Sequence, residues 1–114
     1  MVIDQDWVRE FPGAVTVCDE RGVIVEMNDR SAATSAANGG RALIGRDLHA
    51  CHSEASRAKL EALFASRQPN VYTILKHGVR KMIYQSPWYR DGRFAGLVEL
   101  SLEIPGDIPE FVRE

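Results

Sequence analysis

Three residues with metal or redox chemistry fall within four positions of one another: His49, Cys51 and His52. Imidazole nitrogen and thiolate sulfur are good transition-metal ligands, and a thiol beside an imidazole is also the pairing that makes a nucleophile. The spacing works against both uses. Side chains at adjacent positions do not easily converge on one ion, no second Cys/His pair completes a ligand set, and His77 is the one distant histidine. The plainer reading packs Cys51 as a small apolar residue and lets His52 hydrogen-bond backbone at a helix start. No Ser/His/Asp arrangement, phosphate loop or pair of catalytic carboxylates stands out, so the chain is expected not to be an enzyme. A redox or metal sensor built on His49, Cys51 and His52 is the alternative.

The bulk composition narrows the setting. A chain of 114 residues makes one compact domain. With 14 basic and 16 acidic residues and no long run of either, it lacks the concentrated basic face that nucleic acid requires. No apolar stretch approaches the roughly 20 residues of a membrane helix. Met1 to Asp6 carries two acids and no basic region, unlike a signal peptide. Cys18 and Cys51 then read as reduced thiols. The expectation is a soluble cytoplasmic protein.

The elements that must position these groups follow from periodicity. Ile3, Trp7, Val8 and Phe11 share one face of a short helix over 3–11, ended by Pro12-Gly13. Ala14 to Cys18 and Val23 to Met27 form a hairpin around Asp19-Glu20-Arg21-Gly22. Asn28-Asp29 caps an alanine-rich helix over 29–37, which Asn38-Gly39-Gly40 ends. The clearest helix begins near Ser53, with Leu60, Leu63 and Phe64 as its buried stripe, and Pro69-Asn70 stops it. Three strands follow: Val71 to Lys76, Val79 to Tyr89 and Phe94 to Ile104, the last two joined at Asp91-Gly92. Two hairpins separated by helices give an α+β layout with one antiparallel sheet. Its divisions are an N-terminal helix (1–12), a core (14–104) and a tail (105–114).

In order and spacing these pieces resemble the PAS domain family over about residues 8 to 104. Phe11-Pro12-Gly13 through Asp19-Glu20-Arg21-Gly22 looks like the family's opening turn and strand. Val23 to Asn28 looks like its second strand with a terminal Asn, and Leu43-Ile44-Gly45-Arg46-Asp47-Leu48 like the segment before its long helix. Tyr89-Arg90-Asp91-Gly92 and Gly96-Leu97-Val98-Glu99 look like the closing hairpin. Residues 48–56 resemble a subgroup with a Cys-His pair ahead of the long helix. The resemblance implies a five-stranded antiparallel sheet ordered 2-1-5-4-3 with short helices on one face. It also implies a small cavity that holds haem, flavin, a carboxylate, a fatty acid or nothing, so it names no single cofactor. The haem-sensor pattern takes a histidine from the long helix, but residues 53–66 contain none and His52 is the nearest substitute. The light-sensor motif is missing around Cys51.

The expected ligand pocket comprises Arg46, His52, Leu60, Phe64, Tyr72, Ile74, Met82, Tyr84 and Trp88, with Gln85 a further polar candidate. A largely apolar hollow with a few hydrogen-bonding groups suits a small organic ligand. Trp7, Val8 and Phe11 are expected to need a cover, and a second copy of the chain would supply one. The function expected is a sensory module that binds a small molecule or protein partner and relays a change of shape. A ligand-free dimerisation module is the further alternative.

Overall fold

A computed structural model describes residues 5–48 and 53–114. Five strands form one sheet: β1 (Ala14–Cys18), β2 (Ile24–Met27), β3 (Asn70–Lys76), β4 (Val79–Arg90) and β5 (Arg93–Ile104). Their spatial order is β2-β1-β5-β4-β3, with every pairing antiparallel. Between the hairpins lie helix α1 (Asp29–Thr34), two 3-10 turns (Ala36–Asn38 and Gly40–Leu43) and the long helix α2 (Glu54–Ser66). Strand number, order and helix positions agree with the sequence reading.

Turn chemistry explains the closures. At the β4–β5 tip Asp91 and Gly92 both take positive φ, 51° and 79°, the geometry that lets a two-residue turn follow the twist of its strands. Between β1 and β2, the Asp19 Oδ1 accepts from the backbone N–H of Arg21 at 2.9 Å and of Val23 at 3.0 Å. That side chain replaces backbone partners the tight loop cannot supply.

Asn28 is the hinge-pin of the N-terminal half. It is 3% exposed. Its Oδ1 accepts from Ser31 N at 3.0 Å, capping α1, and from Val15 N at 2.9 Å. Its amide donates to the carbonyls of Val8 at 3.0 Å and Gly13 at 2.8 Å. One side chain thereby joins β1, α1 and the N-terminal segment. Buried polar groups must be paired, and this one is paired several times over.

Two expected helices are shorter than their periodicity suggests. The N-terminal one is a 3-10 turn over Gln5–Val8, because Asn28 draws the Val8 carbonyl away and Pro12 follows closely. Ile3 lies outside the described residues. The alanine-rich helix ends at Thr34, whose hydroxyl bonds back to the Arg30 carbonyl at 2.9 Å, and Ala36–Asn38 continues as a 3-10 turn.

The core sits under β1, β2 and the centre of β5. Ala14, Val15, Cys18, Ile24, Met27, Ala95 and Leu97 are buried there, with Ile83 from β4. Helix α2 differs from expectation: Leu60, Leu63 and Phe64 are only half-buried. No side chain of α2 reaches the core, and the helix stands off the sheet.

Candidate ligand cavity

The space left by that stand-off is a cavity of about 500 Å³. Its floor is the helix-side face of the sheet, with Thr16 and Cys18 from β1, Ile24 and Met27 from β2, Gln85 from β4 and Leu97 and Glu99 from β5. Ser35, Asn38, Leu43, Arg46 and Leu48 form one wall, and Leu60 and Leu63 of α2 the roof. The hollow therefore has an apolar end and a polar stripe, a combination that orients small organic molecules.

Register explains the stripe. Thr16 stands opposite Glu99, Glu99 opposite Gln85, and Gln85 opposite Asn70. Directly opposed residues in a sheet project to the same face, so these four side chains form one transverse row across four strands. Asn70 Nδ2 donates to Gln85 Oε1 at 2.9 Å, and Gln85 Nε2 donates to Glu99 Oε2 at 2.8 Å. At the other end the hydroxyls of Thr16 and Ser31 share a hydrogen bond of 2.5 Å, tying the row to α1. Among the described residues no cationic side chain pairs with Glu99.

The expected pocket residues distribute unevenly. Arg46 and Leu60 line the cavity. Phe64 turns to the hairpin tip, where its ring meets Phe94 edge-on at 6.0 Å, with Arg67 stacked over Phe94. Tyr72 and Ile74 share the helix-side face, since Tyr72 opposes Ile83, but they lie on edge strand β3 beyond the helix cover and are exposed. Burial, and after it the charge of Glu99, pushes the Tyr72 phenol up.

Met82, Tyr84 and Trp88 belong to the opposite face. Gln85 and Ile83 point to the helices, and alternation sends the even-numbered residues of β4 away from them. Trp88 instead donates its indole N–H to the Cys18 carbonyl at 3.0 Å. His49, Cys51 and His52 lie outside the described residues, and among the described residues no cluster of His, Cys, Asp and Glu is arranged to hold a metal. Trp7 and Phe11 are exposed and meet edge-on at 6.1 Å, while Val8 is half-buried.

Sequence reasoning passed over Thr16 and Glu99. Glu99 had a usable signal, a charged residue alternating with apolar ones inside a strand that pairs on both sides. Cys18 also faces the floor. Burial is the main cause that pushes its thiol up, which makes it a poor nucleophile.

A sheet of this order with helices over one face and a hollow between them defines the PAS fold, and solved structures agree. The PAS-haem oxygen sensor Aer2 of Vibrio cholerae superposes with a TM-score of 0.64 at 13% identity, over 82% of this chain and 95% of that one. The PAS domain of Bordetella pertussis BvgS gives 0.60 at 18% identity, over 89% and 83%. VqmA of Vibrio cholerae gives 0.70 at 13% identity over 93% of this chain, which spans only 54% of VqmA. VqmA also matches in a structure described as bound to DPO. No protein-family model matches the chain, and no curated protein matches it. The chain has the PAS fold, similar to sensor domains of receptors and kinases.

Proposed function

We propose that the chain is a sensory module that reports occupancy of the cavity by a small organic molecule, without catalysing a reaction. The observation that carries this reading is the hollow of about 500 Å³ beneath a helix that contributes no buried side chain. A ligand touching Leu60 and Leu63 would give α2 the packing it lacks, and so shift the helix population toward a docked state. The similarity to sensor domains, and to a receptor seen with DPO, supports the same use of the fold. Among the described residues no helix is long and apolar enough to cross a membrane.

The change would pass to a second copy of the chain. Val71, Leu75 and Tyr84 are exposed on the sheet's outer face, and Trp7 and Phe11 are exposed at its N-terminal edge. Burial of these residues in a homodimer would cover exposed apolar side chains on that face. Light scattering at high micromolar concentration tests it, and a strictly monomeric chain overturns it.

Native mass spectrometry of the purified chain tests the sensor itself. The expected result is a bound small molecule that is absent from Leu63→Trp, in which the indole fills the roof. A wild-type chain that carries nothing and gains no thermal stability from any small-molecule library would leave an interaction module with no ligand.

A further inference from the structure

The polar row on the cavity floor specifies more than a hollow. Gln85 is held in one orientation: its carbonyl accepts from Asn70, so its amide N–H points at Glu99. That single bond uses one of about four lone-pair sites of a carboxylate. Glu99 is half-buried on the lining, opposite Thr16, whose hydroxyl is engaged with Ser31. Among the described residues no arginine, lysine or histidine pairs with Glu99. A carboxylate held in place, partly desolvated and left without a counter-charge is an incomplete arrangement, because such groups are stable when donors fill their remaining sites.

Resting on the sensor reading above, we propose that the cavity takes a small amphipathic organic amine or amidine. Its nitrogen donates to Glu99, and its apolar body lies against Leu43, Leu60, Leu63 and Leu97.

Three features select this class. Glu99 offers only acceptors, so an anionic ligand would meet repulsion there, whereas a protonated nitrogen gains a charge-assisted hydrogen bond. Arg46 lies on the same lining and disfavours a second positive charge, which points to a monocation and away from a polyamine. Leu43, Leu60, Leu63 and Leu97 offer the rest of the ligand an apolar surface, which suits an apolar body.

Calorimetric titration of the chain with benzamidine, benzylamine, benzamide and benzoate separates the possibilities, since these share one ring and differ in the polar group. Benzamidine and benzylamine are expected to bind about tenfold or more tightly than benzamide, with benzoate weakest. Glu99→Gln is expected to weaken benzamidine about tenfold or more while leaving benzamide within about twofold. Unliganded unfolding midpoints confirm that the variant is folded. Benzoate binding as tightly as benzamidine, an affinity order unchanged by Glu99→Gln, or no saturation by either cation at millimolar concentration each overturns the inference. Leu63→Trp, with Leu60→Trp as a second blocker, separates this failure from that of the sensor. If the blockers abolish binding of whichever probe does bind, the cavity is a ligand site and only the assignment to Glu99 falls. If they change nothing, the sensor reading falls too.

Discussion

The two ends of the sheet are built to different standards. At the β1–β2 end, Asn28 and Asp19 lock strand, turn and helix with short side-chain bonds to backbone, and most of the buried apolar side chains gather around them. At the other end every residue of β3 is exposed, and α2, over the cavity, contributes nothing buried. Local stability follows buried contacts and protected hydrogen bonds, so the first end holds its shape while the second opens easily. A fold that must register occupancy needs both. The rigid half fixes the row of Thr16 and Glu99, and the loose half supplies the helix whose position a ligand sets.

The largest effects are expected where the rigid end has no slack. Gly96 has φ of 140°, and a Cβ there would sit 2.0 Å from the Cys18 carbonyl oxygen, which also accepts the Trp88 indole. Gly96→Ala must push β5 off β1 and strain the backbone, costing about 3–5 kcal/mol. Chemical denaturation measures it, and a loss below about 1 kcal/mol would show that β1 and β5 are not so tightly joined. Asn28→Ala comes next. It strands the Val15 and Ser31 amides and the Gly13 carbonyl at once, for a loss of about 3 kcal/mol. Asn28→Asp, which keeps the acceptor but loses the donor, should cost less than Asn28→Ala.

These same strong features were the legible ones. Asp91-Gly92 as a hairpin turn, Asn28 as a helix cap and the five strands follow from local chemistry that one sequence displays. The cavity was less legible because both faces of β4 are partly apolar: Met82, Tyr84 and Trp88 on one side, Ile83 and Pro87 on the other. A period of two divides such a strand correctly but does not say which face lies under the helices. That choice is made by pairing with β5, where Leu97 and Glu99 go inward. Glu99 is hard to place from sequence because a charge within a strand ordinarily faces solvent. For α2, periodicity puts Leu60, Leu63 and Phe64 on one buried stripe, but it does not report the distance to the sheet, and the three are only half-buried.

The loose end yields smaller effects. Leu60→Ala removes a half-buried side chain that makes no tight core contact, so it should cost about 1 kcal/mol or less, well below a core leucine truncation. Amide hydrogen exchange sharpens the contrast. The β1 and β2 amides should exchange with the free energy of global unfolding, and those of β3 and α2 faster, with α2 gaining protection when benzamidine is added. Equal protection at both ends would remove the distinction on which the sensing argument depends.

Cys18 offers the finest probe, because it reports whether the rigid floor stays closed in the free chain. Burial raises its thiol pKa above the ordinary value. The folded state therefore resists losing that proton, while the unfolded chain loses it in the usual thiol range near pH 8.5. The stability linked to Cys18 is complete below that range and declines as the pH rises through it toward the folded value. Comparing the wild type with Cys18→Ala isolates this contribution: the gap between their unfolding free energies should be constant up to about pH 8 and narrow above it. Because Cys18 lines the cavity, a bound amine that excludes water should carry the narrowing further up the alkaline range. A gap that stays flat through the alkaline range would mean that water already reaches the sulfur, and that the cavity floor is as open as its roof.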